Sequence, residues 1–264
     1  MVAPTIPDEA QDLLTLLQGD GDLRVWSVIV TIMGDMARGP GQTVSGATLG
    51  VLMGALGIRP EATRVALHRL RKDGWISSQR AGRGSLYALT DHGRAQTQAV
   101  ADRIYDPNPP APDRWHLVVT STSTDPDNVE QHLVKQGFSE LSPKVFLGVS
   151  GPGACPGCLH FSDNTPQLPQ TMLNTLIPAP AAAETQRFQA RLAQVRPRIL
   201  SSQSPLSSLS KAALRIIVLH NWRRIVLRWP PLPLPPTWPE AQLRRDVHAL
   251  LTWLGPIDAD ALRG

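Results

Sequence analysis

The stretch from Gly57 to Leu89, GIRPEATRVALHRLRKDGWISSQRAGRGSLYAL, constrains the fold of this chain more than any other. Pro60 suits the first turn of a helix, where its missing N–H costs nothing, and Gly74 supplies a left-handed stop after the last turn. This punctuation predicts a helix over residues 60–73. Along it Ala62, Val65, Ala66 and Leu70 fall at three-and-four spacing and read as one buried stripe. Glu61, Arg64, His68 and Arg71 repeat at the same spacing on the opposite side. Arg69 reads as turned toward the packed side, in a structural role. Trp75 to Arg80 and Ser85 to Thr90 then read as strands, joined by Ala81-Gly82-Arg83-Gly84, a hairpin turn whose glycines permit positive φ.

Charge is concentrated on the same stretch. Gly57 to Thr90 holds seven Lys or Arg against two Asp or Glu, a net of +5, whereas the whole chain is +4, so the remainder is slightly acidic. A basic helix followed by a basic-tipped hairpin is the sequence image of a winged helix-turn-helix, a head that meets double-stranded DNA. On that reading Arg64, His68 and Arg71 reach base edges, since a guanidinium pairs bidentately with guanine or phosphate oxygens. Arg59 and Thr63 lie near the helix start, and Arg80 and Arg83 on the hairpin touch phosphate or the minor groove. The competing reading is a solvated basic helix packed on any small sheet.

The other segments are arranged around this one. Residues 10–18 and 23–37 read as helices, Thr43-Val44 as a short edge strand, and Ser45 as the N-cap of a helix through Leu56. Thr90-Asp91 caps a helix to about Ile104. Pro107, Pro109, Pro110 and Pro112 then make a stiff linker, the clearest domain boundary. Beyond it, a strand over Trp115 to Ser121, a helix from Asp125-Pro126 to Gly137 and a strand over Val145 to Val149 form half of a ferredoxin-like sandwich. The second half is harder to trace: Gly151 to Pro180 is turn-rich, with weak apolar runs at Cys158 to Phe161 and Met172 to Ile177. A helix over 181–195 follows, then a Ser207-capped helix to about Leu227, a proline-rich connector over 229–239 and a closing helix over 240–254. Trp222, Trp229 and Trp238 cluster around that connector, and we expect them to pack over the helices and wall a pocket.

The expected fold class is therefore α+β. A winged-helix DNA-binding domain spans 1–105 and a linker 106–113; a ferredoxin-like dimerisation domain, truncated or irregular in its second half, spans 114–200, and a helical C-terminal domain 201–264. A chain of 264 residues accommodates two or three domains. No apolar run is long enough to cross a membrane. The N-terminal MVAPTIPDEAQD lacks the basic-then-apolar pattern of a secretory leader, so the expected location is the cytoplasm.

The order of these blocks resembles the PaaX-type repressors of phenylacetate degradation. The resemblance is carried by residues 29–35, IVTIMGD, by the block from Gly57 to Trp75, by Arg80 to Thr90, and by the C-terminal run from His220 to Pro239 with its His-Asn-Trp-Arg-Arg start. It implies a homodimeric transcriptional repressor whose middle domain dimerises and which an acyl-CoA effector, phenylacetyl-CoA in the best-known case, releases from operator DNA. It departs from that pattern over Gly151 to Pro180.

Two further groups carry chemistry. His220, Trp222, Arg223 and Arg224 suit the phosphates and adenine of a coenzyme A ester by charge pairing and stacking, or else lock a helix against the connector. Cys155-Pro-Gly-Cys158 has the spacing of half a zinc site or a redox pair. A thiol- or zinc-responsive regulator using the same DNA-binding head is therefore the alternative to the acyl-CoA reading, while two ordinary reduced loop cysteines are the plainer account. Two cysteines make no disulfide framework. No nucleophile elbow, zinc-protease motif or phosphate-cradling glycine loop is present, so neither enzymatic activity nor a resident metal or cofactor is expected.

Overall fold

The computed structural model describes residues 6, 8–19, 21, 23–109, 112, 114–121, 126–164, 168–177, 179–200, 205–228 and 239–262. Two compact units emerge. The first comprises Met1–Pro107, Phe188–Arg224 and Gln242–Gly264; the second comprises Asn108–Arg187 and Ile225–Ala241. The break after Pro107 falls at the start of the proline-rich segment.

The first unit opens with α1 (Asp8–Gln18), α2 (Val25–Met36), β1 (Val44–Ser45), α3 (Gly46–Ala55), α4 (Pro60–Lys72), β2 (Ile76–Ala81), β3 (Gly84–Leu89), α5 (Asp91–Gln98) and α6 (Ala101–Tyr105). Every residue of α2 from Ser27 to Gly34 is buried, so this apolar helix is packed on all sides. Ser45 caps α3 as its sequence suggests, its hydroxyl accepting from the Thr48 N–H at 3.0 Å. The three strands are antiparallel in the order β1-β3-β2, with Val44 opposite Tyr87 and Ile76 opposite Leu89. The single helix expected from Thr90 to Ile104 is two, broken around Val100.

The later helices differ from the sequence division. α10 (Ser208–Val226) and α11 (Pro239–Leu254) do not stand apart; most of both, with the end of α9 (Ala179–Leu200), belongs to the first unit. Arg215 of α10 forks onto the Asp35 carboxylate of α2, Nε to Oδ2 at 2.7 Å and Nη2 to Oδ1 at 2.8 Å, and Nη1 donates to the Leu251 carbonyl at 3.0 Å. Asn221 donates to the Leu17 carbonyl at 3.1 Å, and Arg244 of α11 to the carbonyls of Arg103 and Asp106 at 2.7 and 3.1 Å. The proline connector with Trp229 and Trp238 lies outside the described residues, and with it the pocket expected there.

The second unit is built on β4 (Trp115–Val119), α7 (Pro126–Lys135), β5 (Ser139–Ser142), β6 (Val145–Gly148) and β7 (Leu159–Asp163), followed by α8 (Gln170–Leu176) and the start of α9. The four strands are antiparallel in the order β5-β6-β4-β7. Trp115, Leu141 and Leu147 pack with Leu176, Ile177 and Ala181 as one core cluster. Val118, Leu133, Phe138 and Phe146 form a second, against which Cys155 and Cys158 pack. β5 escapes a search for apolar runs because it is an edge strand that buries only Leu141, whereas β7, an edge strand exposed at every residue, overlaps the weak apolar run at Cys158 to Phe161.

Candidate nucleic-acid interface

α4 is delimited as its punctuation requires. Pro60 stands in the first turn, Gly74 has φ +70°, and Trp75 N–H returns to the Leu70 carbonyl at 2.9 Å. Its packed row, however, is Thr63, Ala66, Leu67 and Leu70, rotated from the stripe expected above. The reason is the amount of apolar surface. Rolling the helix to bury Leu67 with Leu70 removes more of it from water than burying Val65 would.

Three expectations change with that rotation. Val65 is 70% exposed. Thr63, expected near DNA, is only 7% exposed, and its hydroxyl donates to the Arg59 carbonyl at 3.2 Å. Arg69, expected to face inward, is exposed and pairs with Asp73 at 3.5 Å. The remaining basic positions lie outward as expected: Arg59, Arg64, His68 and Arg71 on and before α4, Arg80 and Arg83 on the hairpin. The Arg64–Glu61 pair at 3.6 Å and the Arg69–Asp73 pair are both well exposed. Such surface pairs are weak and exchange readily for a phosphate oxygen.

The hairpin is held to the helix by its far end. Gly82 opens the two-residue turn between the paired residues Ala81 and Gly84 with φ +57°, the position that favours glycine in hairpin turns. At the other end, the Thr90 N–H donates to the Trp75 carbonyl at 3.1 Å. The Thr90 hydroxyl donates to the Gly74 carbonyl at 2.5 Å and accepts from the Gly93 N–H at 3.0 Å, capping α5. Gly93 passes so close that a Cβ there would stand 2.2 Å from the Trp75 carbonyl oxygen. The strand ends and the stop of α4 are thereby one rigid joint.

The proposed effector residues are used otherwise. Trp222 is fully buried; its indole N–H donates to the Ile104 carbonyl at 3.0 Å, and the Arg244 guanidinium lies 4.8 Å above its ring. Arg223 donates to the Ser27 carbonyl and the Thr31 hydroxyl at 3.3 and 3.1 Å. His220 is 1% exposed, and neither ring nitrogen has a hydrogen-bond partner among the described residues. Burial, reinforced by Arg224 and Arg223, lowers its pKa to about 4, so it is a neutral core imidazole. Arg224 alone of the four is exposed. These contacts lock α10 against α2, α6 and α11; the connector, against which the second reading placed the lock, lies outside the described residues. A separate groove in the same unit, 340 Å³ in volume, is lined by Leu192, Ala193, Arg196, Pro197, Leu200 and Asp246.

Cys155 and Cys158 are joined as a disulfide, not a reduced pair. Among the described residues no three His, Cys, Asp or Glu side chains gather as a metal would require, and no helix is long and apolar enough to cross a membrane.

One cationic helix face beside a cationic hairpin, backed by a packed core, defines a surface suited to a polyanion. The comparisons with known proteins agree with that class. Residues 24–93, which contain the whole helix-hairpin assembly, match the family model described as PaaX-like protein. The transcriptional repressor PaaX of Escherichia coli (strain K12) is 27% identical over 235 residues, 80% of this chain and 74% of that one. The chain is thus similar to a PaaX-type repressor over most of its length. Among solved structures, the uncharacterized protein Rv0674 from Mycobacterium tuberculosis aligns with a TM-score of 0.49 at 17% identity, covering 91% of this chain and 100% of that chain.

Proposed function

We propose that this protein is a ligand-responsive transcriptional repressor that binds operator DNA as a homodimer through a winged helix. α3 and α4 form the helix-turn-helix, α4 enters the major groove, and the β2–β3 hairpin is the wing. Arg64, His68 and Arg71 read base edges; Arg59, Arg80 and Arg83 hold phosphate or the minor groove. Thr63 has no part in contact, because its hydroxyl is spent on the Arg59 carbonyl. The observation that carries this reading is the sidedness of α4: one row packs into the core while every Lys and Arg between Gly57 and Thr90 is exposed.

The middle domain, with its β-α-β-β start, is read as a ferredoxin-like dimerisation module, and a dimer presents two such heads to half-sites set by helical repeat. The effector is an aromatic acyl-CoA such as phenylacetyl-CoA. Its site draws on the resemblance and on the 340 Å³ groove, where leucine and proline side chains offer an apolar wall beside the Arg196–Asp246 ion pair. Moving a bound:free equilibrium from 99:1 to 1:99 needs a differential affinity of about 5.5 kcal/mol. A gel shift on the operator beside its own gene, with and without phenylacetyl-CoA, tests both halves. Retardation that weakens steeply with salt and is reversed by the thioester is expected. No retardation at low ionic strength overturns the DNA half; retardation indifferent to the thioester overturns the ligand half.

The disulfide favours one version of a second reading. A bonded sulfur pair does not offer the two thiolates that zinc takes, so a regulator acting through Cys155 and Cys158 would respond to thiol oxidation rather than to metal. Cys155→Ser should then abolish the response of DNA binding to reductant.

A further inference from the structure

Among the described residues Val65 is the most exposed of the large apolar side chains, at 70%, and it stands in the middle of α4, which also carries Arg64, Arg69, Arg71 and Lys72. At about 100° per residue, the line directly opposite the buried row of α4 carries Glu61, Val65, His68 and Lys72. Arg64 and Arg71 flank that line on one side and Arg69 on the other. An isolated exposed valine is ordinary on a protein surface. One bracketed by guanidinium groups is different, because a face that docks through phosphate pairing brings its centre line to the floor of the groove.

The only apolar feature on that floor is the thymine C5-methyl group. Resting on the winged-helix reading above, we infer that Val65 is a specificity-determining residue that packs on a thymine methyl in each operator half-site. The arginines on either side position the helix on the backbone and on guanine edges. They cannot report a methyl group, because a guanidinium offers only N–H donors. An isopropyl group can report nothing else there. The inference supplies what a charge census of α4 leaves unread: discrimination at an A·T pair within a surface otherwise suited to guanine and phosphate.

The full-length protein is used to select bound duplexes from a randomised library at low salt, and the selected duplex is then resynthesised with deoxyuridine replacing each thymidine in turn. Deoxyuridine removes the methyl and leaves the pairing edge intact. One thymidine per half-site is expected at which the replacement weakens binding about fourfold, the worth of one buried methyl group. In Val65→Ala that position becomes indifferent, and Val65→Ile restores the dependence. An unchanged salt slope in both variants shows that phosphate contacts survive. A scan in which no thymine methyl matters, or in which Val65→Ala retains the same dependence, overturns the inference while leaving DNA binding standing. Failure of the unsubstituted protein to retain any duplex overturns the winged-helix reading and this inference with it.

Discussion

Thr63 and Arg71 sit on one helix and both count among the expected DNA-facing residues, yet their surroundings separate them. Thr63→Val should change affinity for the selected duplex little, because its hydroxyl serves the Arg59 carbonyl. Arg71→Ala should weaken binding roughly tenfold and relax specificity, the worth of a base-reading arginine. Electrophoretic titration of both variants checks the pair. His220 makes a second prediction. Its native pKa of about 4 lies below the ordinary 6.5, so the unfolded chain takes up the proton first. Stability is unaffected above pH 6.5, falls as pH drops from there toward 4, and levels off below. The loss is on the order of 3 kcal/mol. Chemical denaturation between pH 7 and 4 should show that limb flattened in His220→Leu relative to the parent protein.

The elements of the head were legible because each carries its own punctuation. Pro60 and Gly74 bound α4, Ser45 starts α3, Thr90 starts α5, and the glycines open the hairpin, all through short-range hydrogen bonds or φ preferences. β5 was not legible and β7 showed only as a weak apolar run, since an edge strand needs only a partner's backbone and can be polar throughout. α9 extends through Pro197, beyond where its alanine-rich pattern fades, with Phe188, Leu192, Val195 and Ile199 buried along it. Burial of that stripe offsets the lost N–H. The joint at the base of the β2–β3 hairpin is the element most open to test. Gly93→Ala should destabilise the protein by about 1–3 kcal/mol, as overpacking does, because its Cβ would meet backbone rather than a yielding side chain. Thermal denaturation measures it, and the same variant should bind DNA more weakly as temperature rises.

At the scale of the molecule, the first unit is assembled from three separated stretches of chain. A fragment of residues 1–107 would expose the α2 face that α10 covers and leave the Asp35 carboxylate, 5% exposed, without the Arg215 fork. That fragment is expected to lack cooperative thermal unfolding by circular dichroism. Arg215→Ala in the full chain should cost about 3–5 kcal/mol, since it strands a buried carboxylate that its partner had compensated. The four-segment division read from sequence misses this because linkers are marked locally by proline, whereas membership of a core is decided by residues hundreds of positions apart.

By itself the sequence determined where the helices and the hairpin of the head begin and end, where positive charge accumulates, and which proteins the chain resembles. All of these depend on neighbours within a few residues or on the order of blocks. Only the tertiary structure decided which way α4 is rolled, and so which of Thr63, Val65 and Arg69 faces out. It alone turned His220, Trp222 and Arg223 from ligand candidates into the lock between α10 and the N-terminal helices. Both outcomes follow from apolar area and polar partners contributed by distant segments, quantities that periodicity along one helix does not contain.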